Sequence, residues 1–302
     1  MTRVAILGST GMLGSALTNI MVGSKYRITE FNRTGRPLVS ENSAVAFDVT
    51  SSDSEIQRVF YKKNFDYVVN AIGAIKQIID EKDPASVKNA YKVNSDFPSF
   101  LDSYSKATET PVIQIGTDCV YSGLKGGYKE SDLFDPIDVY GKSKVKGENT
   151  SINTMILRCS IIGKEINRSK SIMSWLLTQK YGATVNGYVD HYWNGVTTLD
   201  FAKITLGIIE KNAFSKGISH LVPSDTLNKY QLLVSIANAF GRSDIKIQEF
   251  KTNETINRTL STDFSSRNQK YWNLGGYEFI PTINQMIKNY AFWLGSDSNK
   301  IQ

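Results

Sequence analysis

The sequence is poor in cysteine and histidine and has no long apolar run. Its two cysteines, Cys119 and Cys159, are too few for a disulfide framework. With only His191 and His220, a histidine-based metal site is not expected, and we predict no metal. No stretch of eighteen apolar residues is present, and the N-terminus lacks a basic region followed by a cleavage site. We therefore expect a soluble, cytoplasmic protein with no membrane partner.

The chain carries a moderate excess of positive charge, with 35 Lys and Arg against 29 Asp and Glu. A net charge of +6 can accompany nucleic-acid binding. Here the basic residues are scattered, and runs such as Tyr61-Lys62-Lys63 are short. We expect a solvated surface that also attracts anionic nucleotides, and no nucleic-acid partner.

Apolar runs of strand length alternate with helical patterns along most of the chain. The predicted strands are residues 3–7, 27–31, 43–47, 67–71, 112–115, 155–157 and 218–221. The helices between them include residues 15–21, 54–62, 86–93 and 140–148. This alternation is typical of a parallel sheet that is covered by helices on both faces. It predicts an α/β protein with a doubly wound parallel sheet of the Rossmann type.

The alternation is interrupted near residue 163, which indicates a second, smaller α/β lobe. The pattern returns with a helix-like stretch at 199–210. We assign residues 1–163 and about 195–223 to the Rossmann domain, and residues from about 164 to 194 and from 224 to 302 to the substrate-binding lobe. Clefts between such lobes are common sites for small molecules.

The segment GSTGMLG, residues 8–14, follows an apolar run and precedes a helix-like stretch. Strand, glycine turn and helix in this order are typical of a dinucleotide fingerprint. Gly8 permits the tight turn, Gly11 lets backbone N–H groups approach a pyrophosphate, and Gly14 allows the helix to pack closely on the strand. The predicted cofactor contacts are Gly8, Thr10, Gly11, Met12, Leu13 and Gly14. A tight turn without a nucleotide is the alternative.

A tyrosine and a lysine lie four residues apart in the segment YGKSK. On a helix, Tyr140 and Lys144 share one face, and the ammonium group is expected to lower the pKa of the phenol toward the range of a general acid or base. Thr117 follows the apolar run VIQIG and would lie at the carboxyl end of a strand, where doubly wound sheets hold ligands. The two hydroxyls can then converge on one carbonyl oxygen and assist hydride transfer to its carbon.

These motifs resemble those of the extended short-chain dehydrogenases/reductases, and within that group the dTDP-4-dehydrorhamnose reductase family of sugar-nucleotide reductases. The resemblance covers nearly the whole chain and includes GSTGMLG, DYVVNAIG, VNSDFP, GTDCVYSG, YGKSK and ILRCSIIG. It implies that Thr117, Tyr140 and Lys144 are catalytic, and that Tyr140 and Lys144 also contact the cofactor. One departure is Cys119, because these reductases usually have an aromatic residue two places after the threonine.

The end of the second predicted strand bears on the choice of cofactor. A carboxylate there would bond the ribose 2′-hydroxyl of NAD, whereas this chain has Asn32 and Arg33, with Arg36 close behind. Because an arginine fork matches a phosphate, we predict NADPH, with NADH as the alternative cofactor and ordinary loop charges as the alternative role of the arginines. Further cofactor contacts implied by the resemblance are Asp48, Val49, Ala71, Ile72 and Gly73.

Cys119 extends the hypothesis about the substrate. In the related GDP-fucose synthases, which epimerise a 4-keto sugar before reducing it, a cysteine occupies this place and a basic residue opposes it. By approximate alignment, that basic position falls near Lys170. A ketone at C4 acidifies the protons at C3 and C5, so a thiolate can remove one and a cation-bearing partner can return one to the other face. The alternative is a buried Cys119 and a Lys170 that is only a surface charge.

Further substrate contacts are predicted around the cleft. They are Lys76, Asn94, Thr117, Asp118, Trp193, Asn194 and Arg258. Arg258 resembles a late family position at which a basic residue often meets the nucleotide diphosphate. For Trp193, ordinary core packing is the alternative.

Taken with the resemblance, these features predict NADPH-dependent reduction of the 4-keto group of a nucleotide-linked 4-keto-6-deoxy sugar, with epimerisation first if Cys119 and Lys170 exchange protons. One alternative is a redox-neutral, NAD-dependent epimerase or dehydratase. Another is a non-catalytic, NADP-binding regulatory subunit, as in a relative that associates with methionine adenosyltransferase. A homodimer is the default expectation, because twofold pairs are the commonest oligomers.

Overall fold

The computed structural model describes residues 1–23, 25–166 and 169–296, without the side chain of Thr150. Its strands are β1 (Thr2–Leu7), β2 (Tyr26–Asn32), β3 (Ser43–Ala46), β4 (Tyr67–Asn70), β5 (Val112–Gly116), β6 (Met155–Arg158), β7 (Ile161–Ile162), β8 (Thr184–Tyr188), β9 (His191–Trp193), β10 (Val196–Thr197), β11 (Gly217–His220), β12 (Leu227–Asn228), β13 (Lys246–Phe250) and β14 (Ile256–Asn257). Its helices are α1 (Met12–Ile20), α2 (Asp53–Tyr61), α3 (Pro84–Tyr91), α4 (Phe97–Thr108), α5 (Val139–Thr150), α6 (Ile172–Leu177), α7 (Thr198–Glu210), α8 (Lys229–Ala239), α9 (Ser265–Leu274) and α10 (Ile283–Ser296). Short 3-10 turns occur at Lys76–Ile78 and Asp118–Val120, and a π-helical turn at Lys92–Asp96 joins α3 to α4.

The centre of the fold is a seven-stranded parallel sheet in the order β11-β6-β5-β4-β1-β2-β3. The chain starts in its middle, because β1 pairs with both β2 and β4. The strand order reverses at β1, and such sheets bind ligands at the carboxyl ends of the strands beside the reversal. The predicted doubly wound sheet is confirmed, and every predicted strand is present within one residue of its predicted bounds.

Both faces of this sheet bury apolar side chains. Alternate residues of β1 point to opposite faces, so Val4 and Ile6 join one apolar cluster and Ala5 and Leu7 join another. The second cluster is rich in phenylalanine, and the rings of Phe31 and Phe60 stack with centroids 5.5 Å apart. Burying one such side chain contributes about 1.5–3 kcal/mol. The clusters therefore hold the strand ends, and the groups on them, in fixed positions.

After β6 the chain adds a lobe of small sheets. β9 pairs with β12 and β14, β8 pairs with β13, and β7 pairs with β10. The apolar cluster that contains Val4 continues into this lobe through Trp193, Leu232 and Ile236. The lobe is thus packed on the main domain rather than tethered to it. The predicted lobe boundaries stay a prediction, and residues 297–302 of that prediction lie outside the described residues.

Two features are absent from the described ranges. No described helix is long and apolar enough to cross a bilayer. Within the same part of the chain, no group of three or more His, Cys, Asp or Glu side chains is placed to hold a metal ion.

Candidate active site

The glycine turn joins the carboxyl end of β1 to α1. The N–H of Gly11 donates to the carbonyl oxygen of Gly8 at 2.9 Å. A Cβ on Gly14 would lie 2.0 Å from that same oxygen, so only glycine lets α1 approach the turn this closely. Among the described residues, no side chain caps α1, which begins at Met12. Its first N–H groups are therefore available to an anionic phosphate.

The other predicted contacts of this turn differ in exposure. Thr10 and Gly11 are exposed and Met12 is half-buried. The side chain of Leu13 lies in the apolar cluster that contains Val4. Leu13 can therefore present only its backbone to a cofactor.

Asn32 organises the loop that follows β2. Its Oδ1 accepts hydrogen bonds from the N–H and hydroxyl of Thr34 and from the N–H of Gly35, and its Nδ2 donates to the carbonyl oxygen of Arg36. The amide is buried and occupied by protein groups, whereas Arg33 beside it is exposed. Asn32 thus shapes the loop, and of the two residues predicted to contact the cofactor here, Arg33 has the accessible side chain.

Asp48 follows β3, the strand that pairs with β2. The N–H and hydroxyl of Thr50 hold the pKa of its carboxyl below the usual value, with a smaller effect from Arg33. The side chain of Val49 is buried in the phenylalanine-rich cluster. Asp48 and Arg33 therefore share one edge of the sheet, while Val49 supports that edge from within.

The segment after β4 adjoins the glycine turn. A Cβ on Gly8 would lie 3.0 Å from Cγ1 of Ile72 and 3.4 Å from the carbonyl carbon of Ala71. Oδ1 of Asn70 accepts from the N–H of Ile72 at 3.1 Å and fixes the segment. Residues 71–73, predicted to line the cofactor, thus lie beside the turn predicted to hold its phosphates.

Thr117, Tyr140 and Lys144 come together at the carboxyl end of β5. Thr117 follows β5 directly, and α5 carries Tyr140 in its first turn and Lys144 one turn later. The hydroxyl of Thr117 is close enough to the Tyr140 phenol to lower its pKa, against the larger raising effect of burial. Nζ of Lys144 donates to the carbonyl oxygen of Ile115, in β5, at 3.1 Å. The three side chains predicted from widely separated motifs therefore form one group.

α5 is positioned by a capping carboxylate and by a glycine. Oδ1 of Asp138 accepts from the N–H of Gly141 at 2.8 Å, and Oδ2 of Asp138 lies 2.8 Å from Nζ of Lys76. A Cβ on Gly141 would lie 2.3 Å from the carbonyl oxygen of Cys119, so glycine is needed for this approach. Lys76, predicted to meet the substrate, holds the helix cap in this structure.

Burial changes the proton affinity of Tyr140 and Lys144. Together with the neighbouring Cys119, it raises the pKa of Tyr140 above the ordinary value, and Thr117 offsets this only in part. Burial lowers the pKa of Lys144, against the opposing effect of Glu148. The expected net lowering of the phenol pKa by Lys144 is therefore wrong for the chain alone, because lost hydration dominates. A phenol that keeps its proton at neutral pH suits a proton donor.

Cys119 lies in the 3-10 turn that follows Thr117. Its N–H donates to Oγ1 of Thr117 at 3.2 Å, and its thiol donates to Oδ1 of Asp118 at 3.6 Å. Burial, with a smaller effect from Asp118, raises the pKa of the thiol to about 12, and the opposing effect of Arg258 is weaker. The thiolate expected from the sequence is therefore wrong at neutral pH, where this side chain is a protonated thiol.

Two predicted substrate contacts are amides that bond to backbone. Asn94 exchanges two hydrogen bonds of 2.9 Å with the backbone of Ala74. Asn194 does the same with Leu260, at 2.7 and 2.8 Å. Both asparagines are buried. Their geometry favours positioning of neighbouring segments over direct contact with a substrate.

Trp193 and Arg258 both belong to the lobe, and Trp193 is part of its apolar core. Trp193 is buried, its Nε1 donates to Oγ of Ser160 at 2.8 Å, and its ring lies 5.5 Å from Nζ of Lys229. Nε of Arg258 donates to the carbonyl oxygen of Tyr121 at 3.0 Å. Arg258 therefore reaches the loop that carries Cys119, and its contact with a substrate stays a prediction.

Lys229 is a residue that the sequence reasoning missed. Lys170, the predicted partner of Cys119, is exposed, and its backbone N–H donates to Glu165 at 2.6 Å. Lys229, the first residue of α8, is instead close enough to Asp118 and Cys119 for their charges to act on its pKa. On the lobe side, the lysine that is electrostatically coupled to Cys119 is therefore Lys229 and not Lys170.

A cavity of about 520 Å³ opens beside Lys229. Its walls come from α6, β8, β9 and α8, and Trp175, Tyr188, His191 and Leu233 line it together with Lys229. Small-molecule sites commonly have volumes of roughly 300–1,000 Å³. The lobe therefore offers room for part of a small molecule.

The fold is that of proteins like the extended short-chain dehydrogenases/reductases. The chain matches the family model described as RmlD substrate binding domain over residues 2–288, and it belongs to that family. The resemblance to dTDP-4-dehydrorhamnose reductases that the motifs indicated is thereby confirmed.

Two kinds of protein are similar to this chain. It is 27% identical over 247 residues to the dTDP-4-dehydrorhamnose reductase of Aggregatibacter actinomycetemcomitans, over 78% of each chain. It is 23% identical over 249 residues to methionine adenosyltransferase 2 subunit beta of Bos taurus, over 79% of this chain and 72% of the relative. The structure of the dTDP-4-dehydrorhamnose reductase of Bacillus anthracis in complex with NADP has a TM-score of 0.78 at 17% identity, over 97% of this chain and 99% of that one.

Proposed function

We propose that this protein uses NADPH to reduce the 4-keto group of a nucleotide-linked 4-keto-6-deoxy sugar. The observation that carries the proposal is the meeting of Thr117, Tyr140 and Lys144 at the carboxyl end of β5. Support comes from the relative named as a dTDP-4-dehydrorhamnose reductase and from the similar structure that contains NADP.

The residues present fit a dinucleotide. The uncapped N-terminus of α1 and the close approach at Gly14 suit a pyrophosphate, and the exposed Arg33 suits a 2′-phosphate. Lys144 would hold the nicotinamide ribose. When bound, NADPH supplies the hydride that C4 of the sugar receives.

The side chains of the chain supply the remaining chemistry. Thr117 orients the ketone through a hydrogen bond to its oxygen. Tyr140 donates its proton to that oxygen as C4 becomes an alcohol, and the ammonium of Lys144 stabilises the phenolate left behind. The raised pKa of Tyr140 supports this direction of proton transfer.

We also propose that the sugar is epimerised at C3 and C5 before it is reduced, with Cys119 as one of the two proton carriers. Its thiol adjoins Thr117 and acts on the pKa of Tyr140, so it lies beside the predicted position of the ketone. Lys170 is the partner predicted from the sequence, but its exposed position gives that pairing no support.

The experiment is an assay of the purified chain with dTDP-, UDP- and GDP-linked 4-keto-6-deoxyhexoses. NADPH absorbance and NMR of the product are followed, with Tyr140→Phe as the inactive control. We expect net oxidation of NADPH with at least one nucleotide. Tightly held NAD(H) without net oxidation would instead identify a redox-neutral epimerase or dehydratase.

A regulatory subunit is the second candidate, because one relative is named as a subunit of methionine adenosyltransferase. A binding subunit has no need for Thr117, Tyr140 and Lys144 in one group, which favours the enzyme. Stoichiometric capture of one enzyme partner, together with no NADPH oxidation on any keto-sugar nucleotide, would favour the subunit.

A further inference from the structure

Glu148 is a buried carboxylate that the proposed reduction does not use. One of its oxygens, Oε2, pairs with Nη2 of Arg158. Within the described part of the chain, no group donates a hydrogen bond to the other oxygen, Oε1. Buried carboxylate oxygens are ordinarily paired or hydrogen-bonded. An oxygen left free on a buried carboxylate therefore needs a compensating charge nearby.

Arg158 does not serve that oxygen, because its guanidinium is divided between partners. Nη2 donates to Oε2 of Glu148, while Nη1 donates to the hydroxyl of Tyr121 and contacts Nε2 of His220. Nδ1 of His220 lies 2.6 Å from the carbonyl oxygen of Ser261. A carbonyl oxygen can only accept and a guanidinium can only donate, so the ring is neutral with its hydrogen on Nδ1. Both ends of the arginine fork are therefore occupied, and Oε1 is left to another cation.

The free oxygen of Glu148 is held against the end of β5. A Cβ on Gly116 would lie 2.9 Å from Oε1, so this oxygen abuts the backbone of the glycine. Nζ of Lys144 donates to the carbonyl oxygen of Ile115 at 3.1 Å. That carbonyl group and the Cα of Gly116 belong to one peptide unit. The amine of Lys144 and the free oxygen of Glu148 therefore meet the same peptide unit of β5.

The periodicity of α5 brings these two groups to the same place. Tyr140, Lys144 and Glu148 recur every four residues, so they lie one above another on a single face of the helix. Side chains at this spacing have Cβ atoms about 5–6 Å apart. Lys144 therefore lies between the phenol of Tyr140 on one side and the carboxylate of Glu148 on the other.

The ionisable groups around this helix face come from several elements. Burial lowers the pKa of Lys144, and of the two opposing effects the larger comes from Glu148 and the smaller from Cys159. Burial raises the pKa of the Cys159 thiol, so that thiol is uncharged at neutral pH. The groups that act on Lys144, on Glu148 or on their immediate neighbours are Asp118, Cys119, Tyr121, Tyr140, Arg158, Cys159 and His220.

We propose that Glu148 is a positioning residue for the reduction, and that its free oxygen Oε1 keeps the amine of Lys144 charged while Tyr140 gives its proton to the ketone. This inference rests on the proposed function, in which the ammonium of Lys144 stabilises the phenolate. Without the carboxylate, burial favours a neutral amine, which leaves the phenolate unsupported. Arg158 then has a second role, because it fixes the carboxylate and leaves Oε1 uncovered.

The first test measures the charge of Lys144 directly and needs no substrate. Protein with carbon-13 in its lysine side chains is titrated by NMR, and the Lys144 signal is assigned by its loss in Lys144→Arg. Glu148→Gln keeps an oxygen that can accept from Arg158 but has no charge. It should move the titration of Lys144 toward lower pH by about one pH unit or more. An unchanged titration would overturn the proposal.

A second variant separates this charge effect from loss of the ion pair. Replacing both members of a buried pair by apolar residues is often neutral for stability, so Glu148→Leu combined with Arg158→Met should stay folded. It removes the carboxylate all the same, so the titration of Lys144 should remain displaced toward lower pH. A wild-type titration in this double variant would show that Glu148 serves only to hold the fold.

Turnover gives the functional readout. The kcat for reduction of an epimerised 4-keto sugar should fall on the alkaline side as Lys144 loses its proton, because the raised pKa of Tyr140 keeps the phenol protonated to higher pH. In Glu148→Gln this fall should move toward lower pH together with the NMR titration. A displaced titration with an unmoved pH profile of kcat would overturn the role of Glu148 in turnover.

The matched control is Glu130→Gln. Glu130 is a half-buried carboxylate that accepts from the backbone N–H of His220, and it is not among the groups that act on the pKa of Lys144. This variant should leave both the NMR titration and the pH profile of kcat in place. Equal displacement in Glu130→Gln and Glu148→Gln would overturn the proposal, because any loss of a carboxylate would then have the same effect. Failure of wild-type protein to reduce any substrate, with the titration displaced as expected, would instead count against the proposed function itself.

Discussion

Arg158 and Glu148 form a buried ion pair that ties α5 to the central sheet. Nη2 of Arg158, at the end of β6, lies 2.5 Å from Oε2 of Glu148, and the two side chains are 0% and 4% exposed. Nη1 of Arg158 donates to the hydroxyl of Tyr121 at 2.9 Å and contacts Nε2 of His220 at 2.7 Å. Because Glu148 also acts on the pKa of Lys144, the pair connects the sheet to the part of α5 that carries Lys144.

Breaking this pair should destabilise the fold strongly. Arg158→Met leaves the Glu148 carboxylate buried without its cation, which costs about 3–5 kcal/mol of the free energy of unfolding. Urea denaturation measures the loss, and the double variant with Glu148→Leu should recover most of it. Lys125→Met breaks an exposed pair with Asp132 and should cost only about 0–1 kcal/mol. A double variant as unstable as Arg158→Met would identify packing, not charge, as the cause.

Removing the phenolic hydroxyl of Tyr140 should slow reduction at the chemical step. Loss of a general acid typically costs about a hundredfold or more, so Tyr140→Phe should lower kcat by at least that factor and change the KM for NADPH little. Steady-state assays with an epimerised 4-keto sugar measure both constants. Tyr61→Phe, at an exposed tyrosine of α2, is the control. If Tyr140→Phe kept more than about a tenth of wild-type turnover, the role assigned to the phenol would be wrong.

Arg33 should set the preference for NADPH. A hydrogen bond to a charged group contributes about 1.5–3 kcal/mol, so Arg33→Ala should raise the KM for NADPH at least about tenfold and leave that for NADH nearly unchanged. Arg36→Ala is the control, because the loop uses the backbone carbonyl of Arg36 and its side chain is exposed. Equal effects of Arg33→Ala on both cofactors would show that Arg33 does not read the 2′-phosphate.

Local patterns predicted the sheet and the glycine turn, because alternation and glycine spacing act within a few residues. The start of α1 was placed too late, at residue 15 instead of Met12, because glycines at the turn hid the first helical residues. The protonation states could not be read from the sequence, since burial of Tyr140 and Cys119 depends on how α5 and the turn after β5 pack.

The surroundings of Lys229 could not be predicted from the sequence either. The Asn228 and Gln231 capping box marks the start of α8 in the sequence. No local sequence pattern shows that Lys229 lies near Cys119, which comes far earlier in the chain. That proximity depends on how the lobe packs on the main sheet. Lys170 was chosen by an alignment across a gap, and gaps are where sequence position predicts spatial position least.

The half-buried amine of Lys229 should also make stability depend on pH. Its pKa falls from 10.5 to about 8 on folding, mainly because of burial. Between pH 8 and 10.5 the unfolded chain therefore holds more protons than the folded chain, and the contribution of this group to stability rises with pH. Below pH 8 the full penalty for a buried charge is present, and above 10.5 it has vanished.

Lys229→Met removes this penalty, so it should be more stable than wild-type protein at pH 7. The difference should shrink as pH rises through the window from 8 to 10.5, because the folded wild-type amine loses its proton, and with it the penalty, before the unfolded one does. Urea denaturation of both proteins at pH 7 and at pH 10.5 measures this change, and Lys203→Met corrects for the loss of a cation over an aromatic ring. A Lys229→Met protein that is less stable at pH 7, by the same amount at pH 10.5, would mean that the lysine contributes only through packing of its stem. The lowered pKa of Lys229 would then make no contribution to stability.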